Sequence, residues 1–202
     1  MAIDLNHRFI YIHIPRTGGT SISRALEDLP WRDLSGGDFL RYRADSWELK
    51  LRCRLHRIQR FHKHETAENI RSVIGERVWS RNYTFAIVRN PWDLAVSCYH
   101  WWRQLSDRFA RFQETSRMIK EMSFPEYMES PYGRMINQYE STMLDWISDR
   151  RGKVLVDFIG RFESLDESWQ KICEGIGVRY QTLPDATARE RNRAQTLQFL
   201  LQ

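Results

Sequence analysis

The sequence predicts an α/β fold in which helices cover both faces of a central, mostly parallel sheet, a three-layer α/β/α arrangement. Three observations predict it. Short β-branched and aromatic runs at residues 9–14 (FIYIHI) and 83–88 (YTFAIV) have the composition of buried strands, and 153–159 (KVLVDFI) reads as a third strand. Segments of helical periodicity separate these runs, as in βαβ units rather than hairpins. Two of the runs end in charged turns, at Pro15-Arg16 and at Arg89-Asn90-Pro91, and an open parallel sheet carries its ligands beyond the carboxyl ends of its strands.

Taken in order, the first strand contains His13, which reads as a satisfied core histidine. Residues 15–20 form a tight turn. Residues 21–29 then place Ile22, Ala25, Leu26 and Leu29 on one helical face, and Pro30 stops the helix. Residues 47–56 (WELKLRCRLH) alternate as a strand would, yet Trp47, Leu51, Leu55 and Ile58 also share a helical face; the surrounding residues favour helix. Thr66 is a natural N-cap for a helix through Ala67, Ile70, Val73 and Ile74, and Gly75 is placed to end it. After the second strand, Asn90-Pro91 breaks the chain and a helix runs from about residue 92 to 105. A polar helical stretch follows at 107–122. The third strand leads into an amphipathic helix over 165–176, ending in Gly175 and Gly177.

At 202 residues with 42% apolar side chains, the chain supports one core and is expected to be a single domain over residues 1–202. It has no apolar run of membrane-spanning length, and charges at Asp4 and Arg8 interrupt the N-terminal residues, so a soluble cytoplasmic protein without a transmembrane segment is expected. Cys53, Cys98 and Cys173 are odd in number and widely spaced, which fits free thiols in a reducing compartment rather than a disulfide framework or a zinc site. The net charge is +5, but it is concentrated: residues 41–63 hold eight Lys/Arg against Asp45 and Glu48. A local basic segment fits one acidic ligand at least as well as a general polyanion surface.

The turn Pro15-Arg16-Thr17-Gly18-Gly19-Thr20-Ser21 has the composition of an anion cradle. Gly18 and Gly19 let backbone N–H groups turn toward a ligand, Thr20 and Ser21 add hydroxyls, and the next helix aims its positive end at the same place. Arg16 adds a fixed charge on a planar fork. The Walker pattern G-x-x-x-x-G-K-[ST] is absent, which disfavours a common ATPase or GTPase.

The segments HIPRTGGTSI, FAIVRNPWDLAVSCY and DFIGRFESLDESWQKICEGIG, in this order and spacing, resemble the sulfotransferase family, in particular its bacterial and carbohydrate-type members. The resemblance implies a P-loop-like sulfotransferase fold and 3′-phosphoadenosine 5′-phosphosulfate (PAPS) as the sulfuryl donor, with no metal. It places Arg16, Thr17, Gly18, Gly19, Thr20 and Ser21 around the 5′-phosphosulfate, and Arg89 with Ser97 on the 3′-phosphate. Arg161, in the third segment, is a further candidate for ligand contact, although Ser164 with Glu167 also fits a capping box and Phe162 a core residue. The family places a catalytic His near residues 62–64. His64, within HETA, matches better than His62, and an imidazole can accept a hydroxyl proton near neutral pH.

The implied reaction is in-line displacement at sulfur, which demands positioning and stabilisation of charge on the leaving oxygen. Many members of the family carry Lys where this chain has Arg16. Arginine stabilises charge but is a poor proton donor, so catalysis is expected to rest on electrostatics. Ile22 stands where some members stack adenine on Trp, which leaves the adenine partner unassigned. After Leu183-Pro184 the chain reads ATARERNRAQTLQFLLQ and lacks the aromatic ending expected of a bacterial member. The acceptor is expected to be a small molecule or glycan: Tyr99, Trp101, Trp102, Phe109 and Phe112 could stack on sugar rings, but a core-facing helix accounts for them better. A non-catalytic polyanion or nucleic-acid binder using residues 41–63 is one alternative, although no nucleic-acid module pattern is present and no nucleic-acid partner is expected. A kinase-like phosphotransferase on the same fold is another.

Overall fold

The computed structural model describes residues 2–4, 8–28, 64–105 and 112–183. Their four strands, β1 (Ala2–Asp4), β2 (Phe9–Ile12), β3 (Tyr83–Val88) and β4 (Phe158–Arg161), form one sheet in the order β1-β2-β3-β4. β1 is antiparallel to β2, while β2, β3 and β4 are parallel. Helix α1 (Gly19–Asp28) follows β2. Between β2 and β3 the described residues also hold α2 (Ala67–Ile74) and the short α3 (Glu76–Trp79). β3 leads into α4 (Pro91–Gln104). The elements α5 (Gln113–Glu121), α6 (Phe124–Glu129) and α7 (Met143–Ile147) precede β4, and α8 (Leu165–Ile176) follows it.

Alternation along the central strands builds the three layers. Ile10, Ile12 and Ala86 face one side of the sheet, where they pack with Ile70 and Ile74 of α2, Leu94 and Cys98 of α4, and Trp146 and Ile147 of α7. Phe9, Tyr11, Phe85 and Ile87 face the other side, against Ile22 and Leu26 of α1 and Leu165, Trp169 and Ile172 of α8. Both faces are dry, which is why these strands read as continuous apolar runs.

Helix boundaries follow local chemistry. Thr66 caps α2 by accepting the Asn69 N–H, and Gly75, at φ +84°, ends it. Asn90 caps α4 through its side chain, with Pro91 in the first turn. Gly177 closes α8 in a left-handed conformation.

Three expectations need correction. Helix α1 begins at Gly19, so the first turn of the helix is part of the loop. The polar stretch expected to be helical over 107–122 is helical at Gln113–Glu121, and its residues 107–111 lie outside the described residues. The third strand is Phe158–Arg161 rather than 153–159. Its apolar run is divided between two partners: Val154 bridges Ser148 in a tight hairpin, and Leu155 donates to the Ile147 carbonyl. Asp157 then takes both the N–H and the hydroxyl of Thr84 on its carboxylate, at 2.8 Å each, and the ladder starts one residue later. Ser164, the N-cap of α8, makes no side-chain capping bond, so the expected box with Glu167 is absent. Capping boxes stand instead at Ser123/Glu126 and Thr142/Asp145, in a region without a sequence assignment. The ambiguous basic segment lies outside the described residues.

Candidate active site

The carboxyl ends of β2, β3 and β4 deliver three chain segments to one edge of the sheet. After β2 the chain passes through Arg16 at φ +66° and Gly18 at φ +87° before α1 starts. A left-handed arginine is uncommon, and it tightens the turn that leads into α1. Thr17 is fully buried and donates its hydroxyl to the Ile14 carbonyl, so its side chain braces the turn. Gly18 accepts the first backbone bonds of α1, from Ser21 and Ile22. Ser21 is buried and Thr20 exposed. Gly19 has a stringent requirement: a Cβ there would lie 1.7 Å from His13 Nε2. His13 is therefore a core residue, as expected, and its ring packs directly beneath the cradle.

The second segment brings Arg89 and Ser97 to the first. Arg16 Nε donates to Ser97 Oγ at 3.1 Å, and Arg89 Nη1 donates to the Arg16 carbonyl at 3.1 Å. The Arg89 backbone N–H points at Met143 Sδ, 3.3 Å away. Arg16 and Arg89 thus stand just ahead of the helices α1 and α4 in the chain, and the N-terminus of each helix favours an anion. Their field reaches Cys98: burial pushes this thiol up, while the Asn137 backbone N–H and the charges of Arg16 and Arg89 pull it back. With no lowering of its pKa overall, Cys98 is a packing residue rather than a nucleophile.

In the third segment the residues that meet the second are Phe162 and Glu163 rather than the nominated Arg161. Arg161 is exposed, and its backbone N–H and carbonyl both engage Ser168 Oγ. Phe162 instead lies against Arg89, whose guanidinium carbon is 4.1 Å from the ring centroid. Glu163 Oε1 accepts the Asn90 N–H at 2.6 Å. Phe162 carried an apolar signal that suited the core equally well, and nothing local marked its partner.

His64 stands at the end of β2 with Nδ1 3.1 Å from the His13 carbonyl. A carbonyl only accepts, so in the neutral imidazole this contact assigns the proton to Nδ1 and the lone pair to Nε2. Its ring lies 4.6 Å from that of His13 and 6.3 Å from those of both Tyr139 and Trp146. His62 lies outside the described residues. So do Phe109 and the basic segment. Of the aromatic residues weighed for sugar stacking, Tyr99 and Trp102 are buried in a separate cluster with Ile119 and Tyr127, and Trp101 and Phe112 pack against it. They form a core, not an acceptor platform. Ile22 is likewise fully buried.

No helix among the described residues is long and apolar enough to cross a membrane. Residues 1–198 match a family model described as the sulfotransferase family. A protein of Archaeoglobus fulgidus described as "Uncharacterized protein" is 29% identical over 131 residues, spanning 60% of this chain and 94% of that protein. Comparison with solved structures found no match.

Proposed function

The chain belongs to the sulfotransferase family, and from that premise we propose that it is a PAPS-dependent enzyme, a single catalytic domain working in the cytoplasm on a carbohydrate hydroxyl. The observation that carries the donor assignment is the convergence of Arg16, Ser97 and Arg89 at the N-termini of α1 and α4. Such a site suits a ligand with two anionic groups a few ångströms apart better than a single phosphate. The residues present fit a nucleoside bisphosphate: Arg89 and Ser97 would hold the 3′-phosphate, and Arg16 with the N–H groups of residues 18–20 the 5′ end.

In this mechanism Arg16 and the positive end of α1 stabilise charge on the oxygen that leaves sulfur. His64 Nε2 accepts the acceptor's hydroxyl proton as the new oxygen–sulfur bond forms and the bond to adenosine 3′,5′-bisphosphate breaks. Arg16 holds charge and donates no proton. His62 is the alternative base. Thr17 contributes its backbone and not its hydroxyl, which Ile14 occupies. Arg161 stands at the exposed rim, where contact with the donor would require its side chain to turn inward. Tyr139, half-buried beside His64, gives the acceptor side an aromatic edge suited to a sugar ring.

The deciding experiment incubates the protein with sulfur-labelled PAPS and a panel of glycans, phenols and simple alcohols. Label transfer to a glycan is expected, in the absence of added metal. Failure to bind adenosine 3′,5′-bisphosphate in calorimetry would sink the donor assignment. Binding with transfer only to phenols or alcohols would overturn the carbohydrate assignment alone.

A further inference from the structure

The parallel register pairs Val88 with Arg161, so the next residues of the two strands, Arg89 and Phe162, leave the sheet side by side. The Arg89 guanidinium carbon lies over the Phe162 ring, 4.1 Å from its centroid. Guanidinium donors lie in the plane of the group, so a ring on its face leaves the edge N–H groups directed at acceptors. The same ring backs the first loop: a Cβ on Gly18 would come within 3.0 Å of Phe162 Cδ2. Glu163 anchors the residue after Arg89 by accepting the Asn90 N–H at 2.6 Å. An arginine side chain loses considerable rotamer freedom when it binds a ligand. Here that freedom is already restricted, by Phe162 on one face and the Arg16 carbonyl at one edge.

We propose that Phe162, supported by Glu163, is a positioning residue that aims Arg89 and so sets the preference for a 3′,5′-bisphosphorylated nucleoside over one phosphorylated at the 5′ position alone. The proposal rests on Arg89 being the 3′-phosphate ligand. Phe162 touches no reacting atom. Its effect is on discrimination between donors and is transmitted through the orientation of one fork of donors.

The test measures dissociation constants by calorimetry for adenosine 3′,5′-bisphosphate and for adenosine 5′-monophosphate, on wild type, Phe162→Leu, Phe162→Tyr, Glu163→Ala and Arg89→Ala. Phe162→Leu keeps an apolar side chain and loses the ring face. Its affinity for the bisphosphate is expected to fall roughly three- to tenfold, with the monophosphate changed less than about twofold. Phe162→Tyr, which keeps the ring, is expected to retain the wild-type ratio, and Glu163→Ala to lower the ratio by a smaller factor. Equal weakening of both nucleotides by Phe162→Leu would make the residue a packing element and overturn the proposal, as would no change in either. If Phe162→Leu does not fold, Glu163→Ala, which leaves the ring in place, carries the same comparison, and an unchanged ratio there overturns it. Arg89→Ala separates the premise from the proposal: a wild-type ratio in that variant removes Arg89 from the 3′-phosphate, whatever Phe162 does.

Discussion

Arg16 Nε donates a hydrogen bond to Ser97 Oγ across 81 residues of sequence. One residue belongs to the loop after β2 and the other to the second turn of α4, so the contact joins the two proposed phosphate positions into a single electropositive floor. Removing either partner is therefore expected to affect both of these proposed positions.

Arg89→Ala is expected to weaken adenosine 3′,5′-bisphosphate by about 10- to 100-fold, the range of one or two hydrogen bonds to a charged group. Titration calorimetry at constant salt measures this. An unchanged dissociation constant would remove Arg89 from the donor site.

Ser97→Ala is expected to lower the same affinity by a smaller factor, about three- to tenfold, since a neutral hydroxyl contributes roughly 1 kcal/mol. In the double variant with Arg16→Ala the two losses should not add, because each single change already breaks the shared hydrogen bond. Additive losses would mean that the Arg16–Ser97 contact is irrelevant to binding.

Arg16→Lys is expected to retain donor binding but to introduce a new alkaline limb in the pH profile of kcat. A lysine loses its charge at high pH, whereas arginine does not. The sign is definite: the wild type stays active where the variant declines. Parallel profiles for the two proteins up to pH 11 would show that charge at position 16 is not used in turnover.

His64→Ala is expected to reduce kcat by about 10²- to 10⁴-fold while leaving bisphosphate binding intact. His64→Asn, which can still donate to the His13 carbonyl, should be equally slow, because it lacks the Nε2 lone pair. Near-normal turnover in either variant would dismiss His64 as the base and direct attention to His62.

Gly19→Ala is expected to destabilise the fold by at least ~1–3 kcal/mol, because the added methyl group meets the His13 ring in a packed layer. Urea unfolding of Gly19→Ala and of Gly19→Ala with His13→Ala measures the conflict. Removing the ring should recover part of the loss, and no recovery would show that the clash is relieved elsewhere.

Much of this architecture is legible in residue types. The runs FIYI and YTFAIV announce buried strands because both of their faces are covered, and Thr66, Gly75, Asn90 and Gly177 mark helix ends through bonds made within a few residues. KVLVDFI misplaces its strand because an apolar run does not reveal which neighbour it pairs with; Asp157 on Thr84, a contact across 73 residues, decides where pairing begins. The short helices over 123–147 went unassigned although Ser123 and Thr142 sit in capping boxes, because four to six residues carry too little periodicity to register.

The sequence by itself determined the α/β class and marked the turn after β2, by its composition, as a candidate anion cradle, while Arg89 and Ser97 entered as its expected partners only through the resemblance to the sulfotransferase family. The first two follow from local conformational preference and from donor chemistry confined to short segments. Tertiary structure alone decided that Thr17 turns its hydroxyl inward, that His64 rests its Nδ1 on the His13 carbonyl, and that Phe162 rather than Arg161 meets Arg89. The physical reason is register. The pairing of Val88 with Arg161 sets which side chains leave the sheet together, and a shift of one residue would exchange the phenylalanine for its neighbour.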